Sequence, residues 1–418
     1  MNNQAFLDAV LGLVAIDSVA MVDVTEQCPY GTGPAKALEY TLELCRSMGI
    51  RTENLGGKIA WAEIGQGEEI VGVLGHLDVV PAGDGWTRNP KGELCGDRLY
   101  GRGVVDDKGP TLAALFAMKE LQDAGAKLNR RVRLIFGQSE ETGGWDDMAL
   151  YKETQQLPVF GFTPDADFPA IYGEKGILNF ELTMPLGKSG FLSATGGSAS
   201  NMVPDKCEVE LPGERGPKVA FGTGRSAHAS TPEKGENAIS AVMAQLTGPF
   251  AEFYNKHIGF DCNGGKMGCG FEDDKSGKLT LNAGLLRTKG EDLVLTLDIR
   301  NPVSFTSAQV REAIEAACAP YGIAVTCTED VGPVYMDKNG PVIRAMLEVY
   351  RGVTGDMAEP EVIGGGTYAR AMPGIVAFGP MQPGRECTEH QKDEYILVAD
   401  LLQAKEIYRQ TIEKLANL

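Results

Sequence analysis

The chain has 418 residues, more than one hydrophobic core normally serves, so two domains are expected. Its 57 acidic residues against 39 basic ones leave a formal charge of -18, which argues against nucleic acid, whose binding rests on Lys and Arg neutralising phosphates. A hydrophobic content of 43% with 23% charged residues is that of an ordinary globular protein, and no apolar stretch approaches the roughly 20 residues of a membrane helix. Nine cysteines without a CxxC pair, and no Lys or Arg before Lys36, suggest reduced thiols, no signal peptide and a cytoplasmic protein.

In chain order, Phe6, Val10, Leu13 and Val14 predict a helix from Ala5 to about Val19. Ala35, Leu38, Leu42 and Cys45 predict another from Pro34 to Met48, stopped by Gly49. Ile59–Ile64 and Ile70–Leu74 read as strands; the second runs into Gly75, expected to turn the chain, and then into His76-Leu77-Asp78. The segment Gly101-Arg102-Gly103-Val104-Val105-Asp106-Asp107-Lys108-Gly109-Pro110 precedes a helix carrying Leu112, Leu115, Phe116 and Leu121, with Pro110 in its first turn. Arg131–Phe136 is a strand followed by Glu140-Glu141-Thr142-Gly143-Gly144, and Val159–Phe162 is one followed by Pro164-Asp165-Ala166-Asp167. Alternating strands and helices predict an α/β domain around a mostly parallel sheet.

Beyond Gly176 the pattern changes. Strands at Ile177–Met184 and Leu293–Ile299, with helices at Asn237–Thr247 and Ala308–Ala317 only, predict an α+β lid over 177–330, inserted into a catalytic domain of 1–176 and 331–418. The helix–strand pattern returns with a helix at Pro341–Tyr350 and a short strand at Ile375–Phe378.

Acidic or imidazole clusters follow the predicted strands at His76/Asp78, Asp106/Asp107, Glu140/Glu141, Asp165/Asp167 and, after the last short strand, over Thr388–Glu394. In an open parallel sheet such strand ends face one crevice. Collected there, these carboxylates would repel each other unless cations neutralised them. Two metal ions bridged by one carboxylate resolve the conflict, and a further carboxylate beside them can act as general base on a bridging water. GRGVVD lacks the third glycine of a dinucleotide loop, and no GxSxG or catalytic-cysteine signature is present.

The stretches HLDVVPAGDGW, GRGVVDDKGP, EETGG, PDADFPAIYGEKG and EHQKDE together resemble the M20 family of dinuclear metallopeptidases, and within it the PepV-type, Xaa-His or carnosinase-like dipeptidases. GGSASNMVPD, SAHASTPEKGENA and IGGGTYARAMPGIVAFGP extend the resemblance over nearly the whole chain. It implies a zinc-exopeptidase-like catalytic domain with His76, Asp106, Glu141, Asp165 and His390 as metal ligands, Asp106 bridging; Asp167 competes with Asp165. It further implies Asp78 as the carboxylate orienting His76, Glu140 as general base, and a cis peptide between Asp106 and Asp107. From the lid it implies His228 on the carbonyl oxygen, with Asn201 and Arg300 on substrate, the latter paired bidentately with a terminal carboxylate. Gly364, Gly365, Gly366 and Thr367 could present N–H groups to that carboxylate, with Arg370 nearby; His257 falls in no motif. The expected cofactors are two divalent ions, Zn(II) first and Mn(II) or Co(II) as alternatives. The expected reaction is hydrolysis of a short unblocked peptide, the rival being an N-acyl amino-acid deacylase of desuccinylase or acetylornithine deacetylase type. Both a monomer and a homodimer in which His228 serves the partner's site fit the resemblance.

Overall fold

The computed structural model describes residues 3–418, which form two compact units: 3–172 with 336–361 and 367–418, and 173–335 with 362–366. The short segment 362–366 thus groups with the second unit, although its sequence neighbours belong to the first.

The first unit is built on a sheet in the order Arg51–Leu55, Ile59–Ile64, Arg131–Gly137, Ile70–His76, Phe160–Thr163, Ile375–Ala377 and the start of Ile171–Glu174. Pairing is parallel only at the centre, from Arg131–Gly137 through Ile70–His76 and Phe160–Thr163 to Ile375–Ala377. Antiparallel strands flank that core on both sides. The central strands are buried throughout, as expected for strands covered on both faces. Leu74 and Ile135 pack with Trp61, Met148, Tyr151 and Tyr368 on one face. Helix Lys108–Asp123 packs on the sheet, on helix Asn3–Val14 and on helix Val398–Ala416.

Two expectations are corrected here. The N-terminal helix ends at Val14 because Ser18 and Val19 are drawn to the end of the central strand: Ser18 Oγ donates to the Leu77 carbonyl at 2.6 Å and Val19 bridges Val79. Gly75 does not turn the chain but lies within strand Ile70–His76, where a Cβ would come 1.9 Å from Thr111 Oγ1. Its role is close approach of helix to strand, and the strand therefore carries His76 as its last residue.

The second unit contains a seven-stranded antiparallel sheet in the order Lys218–Thr223, Lys206–Leu211, Ser193–Gly196, Thr280–Lys289, Asp292–Asn301, Gly176–Pro185, Ala324–Val331. Alternation along Asp292–Asn301 sends Leu293, Leu295, Leu297 and Ile299 into a core with Leu178, Phe180, Ile239, Phe250, Val310 and Ile314. Asp298 and Arg300 therefore point to the opposite face. Helix Ser307–Cys318 starts with a Thr306/Gln309 capping box. The expected helix at Asn237–Thr247 is shorter, Ala238–Met243, capped by Asn237, and a further helix at Pro249–His257 was not expected. Pro249 opens that helix, and it buries Phe250, Phe253 and Tyr254. No helix among the described residues is long and apolar enough to cross a membrane, and all nine cysteines are free thiols.

Candidate metal centre

Strand ends set the donors. His76 closes the central strand opposite Gly137, which has no side chain because Tyr368 lies where its Cβ would be. The fully buried His76 ring has its Nδ1 3.0 Å from the main-chain carbonyl of Asp78, and 3.4 Å from that residue's carboxylate. A bond from Nδ1–H to the carbonyl leaves the Nε2 lone pair as the ligating one. Nε2 lies 2.9 Å from Asp106 Oδ1 and 3.7 Å from Asp165 Oδ2, yet makes no aligned hydrogen bond to either. Buried imidazole nitrogen and carboxylate oxygens converging without hydrogen-bond geometry are what ligands of one cation present, so this donor set fits a divalent ion.

The other oxygen of Asp106 serves a second cluster. His390 Nε2 is 2.9 Å from Asp106 Oδ2 and 3.1 Å from Glu141 Oε2. Two groups of potential ligand atoms result, His76/Asp106/Asp165 and Asp106/Glu141/His390, sharing Asp106. Asp167, in the short strand Ala166–Asp167, stands in neither. Glu140 also stands outside both groups while its neighbour Glu141 is in one.

Electrostatics follow from the crowding. Burial, then the charge of Asp106, push the Asp165 carboxyl up to about 7. Burial likewise raises Glu140 well above the usual carboxylate range, with His76 opposing and Asp165 and Glu141 adding to it. Burial raises Glu141 too, and Asp106 adds to it. Hydrogen bonds donated to the Asp106 and Glu141 carboxylates lift His390 to about 11. For His76, burial favours the neutral ring, but Asp106, Asp165 and Asp78 outweigh it and raise the pKa. Against its burial, the two histidines hold Asp106 the other way, well below the usual carboxylate range.

Supports absent from the sequence reading appear around these donors. The carboxylate of Asp78 accepts the backbone N–H groups of Glu140 at 3.3 Å and Glu141 at 3.1 Å, so it anchors the glutamate loop as well as sitting beside His76. Asp107 Oδ2 accepts from the His76 N–H and from Thr111 Oγ1, while the Asp106–Asp107 peptide is cis, as the resemblance implied. Glu394, fully buried, accepts from Arg102 at 2.6 Å and from the N–H groups of Gly103 and Val105 at 3.1 and 2.9 Å. Asp147 accepts from Gln138, Met148 and the Tyr368 hydroxyl, fixing the segment that leads to Glu140. Glu394 belongs to the acidic cluster Thr388–Glu394 of the sequence, but nothing there gave it this supporting role.

The remaining expected residues divide between the units. Thr367 and Arg370 are in the first, where Thr367 Oγ1 caps the turn Tyr368–Ala371 by accepting the Ala369 N–H. Asn201, His228, Arg300, Gly365 and Gly366 are in the second. There the Asn201 carbonyl accepts the Ala229 N–H, while Asn282 Nδ2 donates to Ser200 and Met202 carbonyls; this joins the Asn201 and His228 segments. His228 is exposed, with Nδ1 2.7 Å from Ser230 Oγ. Arg300 is not open for the expected two-pronged pairing along its Nε edge: Asp298 holds that edge, Nε–Oδ1 at 2.7 Å and Nη2–Oδ2 at 2.8 Å.

The sequence profile of peptidase family M20/M25/M40 matches residues 72–414, a span that includes every donor described above. The chain belongs to that family. A Bacillus subtilis protein named "Putative dipeptidase YtjP" is 37% identical over 93% of this chain and 92% of its own length. Among solved structures, the M20 metallo-carboxypeptidase Sso-CP2 of Sulfolobus solfataricus is similar in fold, with a TM-score of 0.64 at 20% identity over 100% of both chains. YXEP of Bacillus subtilis, titled a dinuclear metal-binding M20 peptidase, has a TM-score of 0.60 at 11% identity over 99% of this chain and 98% of its own. This M20 peptidase is thus an enzyme of α/β class with the family's fold, and its clustered His and carboxylate groups suit divalent metal ions.

Proposed function

We propose that this M20 peptidase is a dipeptidase, removing one residue from short unblocked peptides with two divalent ions. The observation that carries the reading is the sharing of Asp106 by two His/carboxylate clusters. His76, Asp106 and Asp165 would hold one ion, and Asp106, Glu141 and His390 the other. Bound divalent ions supply Lewis acidity, which polarises a carbonyl and makes water a nucleophile near neutral pH.

The chain's own residues do the rest. Glu140 is the proton carrier: it takes the proton of the attacking water and gives it to the leaving amine. Its buried setting, which raises its affinity for a proton, suits that shuttle, and Asp78 fixes its backbone. Glu141, as a ligand, is held ionised and cannot exchange protons in this way. In the second unit, His228 donates to the carbonyl oxygen as it gains charge, and Asn201 supplements it. Arg300, with the backbone of Gly365 and Gly366, receives the substrate's terminal carboxylate, and Thr367 and Arg370 are further substrate-binding candidates. Zn(II) suits the donors, with Mn(II) and Co(II) also compatible. Reduced thiols and the lack of a membrane-crossing helix among the described residues agree with a cytoplasmic enzyme, acting as monomer or homodimer.

The test is an assay with Zn(II), Mn(II) or Co(II) on Xaa-His and other dipeptides beside N-acetyl and N-succinyl amino acids. Dipeptide cleavage with the blocked amino acids inert is expected. Preference for the blocked amino acids would replace the reading by the deacylase one.

A further inference from the structure

Arg300 and Asp298 are 5% and 1% exposed, two residues apart on the face of strand Asp292–Asn301 turned away from the core. Their contact is a fork: two parallel N–H···O bonds of 2.7 and 2.8 Å. A third donor, Nη1, reaches the Gly364 carbonyl at 3.0 Å. Gly364 in turn lies against Ser230, where a Cβ would come 2.7 Å from the Ser230 Cβ, and Ser230 Oγ is 2.7 Å from His228 Nδ1. An unbroken set of contacts within the second unit therefore runs from Asp298 through Arg300, Gly364 and Ser230 to His228.

A guanidinium has five N–H donors and a rigid plane. With Asp298 on the Nε–Nη2 edge and Gly364 on Nη1, its plane and rotation are set before any ligand arrives, and two donors at the Nη end remain beyond these three bonds. Fixed orientation lowers the ordering cost of recognising a planar anion. We infer that Asp298 is a positioning residue that makes this enzyme selective for peptides with a free terminal carboxylate, by presenting the Nη end of Arg300 to it. The inference rests on the dipeptidase reading and deepens it.

The test compares an unblocked dipeptide with the same dipeptide amidated at its C-terminus, using metal-loaded wild type, Asp298→Asn and Arg300→Lys. Wild type prefers the free acid. Asp298→Asn raises KM for the free acid by about tenfold with kcat nearly kept, and leaves the amide unaffected, so discrimination collapses. Arg300→Lys retains a charge beside Asp298 but not the fork, and gives the same pattern if Asp298→Asn does not fold. Equal loss on both substrates, or an unchanged KM for the free acid, overturns the inference. Wild type that cleaves acid and amide equally also overturns it while leaving the dipeptidase reading standing; wild type that cleaves neither removes that reading itself.

Discussion

The two units carry functional side chains under opposite conditions. In the first, donors from five separate stretches of chain converge, from the buried His76 to the exposed His390, and crowd carboxylates together. In the second, Asp298 and Arg300 satisfy each other, and Asn282 satisfies the carbonyls beside Asn201. One region gathers donors that suit cations; the other holds its charged pair by hydrogen bonds within the chain. The lesson is that the metal-binding cluster should respond to substitution in metal content, and the second unit only in substrate handling.

The largest effect is expected at the shared donor. Asp106→Ala should remove both ions and reduce turnover to background, because each cluster loses a ligand; elemental analysis after dialysis checks it. Next, Glu140→Ala should lower kcat by roughly 100- to 10,000-fold, the span of general acid–base catalysis, while metal content stays at the wild-type level. Glu141→Ala should weaken metal binding as well, and equal metal loss in both variants would refute the different roles of these neighbours. His228→Ala should cost about 100- to 1,000-fold in kcat, the scale of losing one oxyanion donor, with metal content intact. A loss of ions in that variant would erase the contrast between the units.

The smallest effect is a pH dependence. In the metal-free protein His390 stays protonated up to about 11, held by Asp106 and Glu141. A ligating imidazole must be neutral, so ion uptake displaces that proton, and affinity should fall as pH is lowered. Titration calorimetry in buffers of different ionisation enthalpy should show proton release on binding; proton uptake would contradict the sign.

Much of the first unit was legible because its donors follow apolar strands, and a strand's end is marked in sequence by the switch from Val and Leu to His, Asp or Glu. All five clusters were found in that way, and the role of each residue within them came from the resemblance. The supports were not legible, since Asp78 reaching the Glu140 and Glu141 amides, or Glu394 reaching Val105, depends on backbone positions that no local pattern encodes. Gly75 misled for a related reason: a glycine in a strand reads as a turn until the helix pressed against it is known. In the second unit the helix Pro249–His257 was hidden by its shortness, and the Asp298 fork by the ordinary look of an Asp-Xaa-Arg strand.

The most direct measurement is the number of ions bound per chain, counted by elemental analysis in wild type and in His390→Ala. Two ions in wild type, falling to one while His76, Asp106 and Asp165 keep theirs, is the predicted result. A single ion in wild type, or two retained without His390, would contradict a centre built around a shared aspartate.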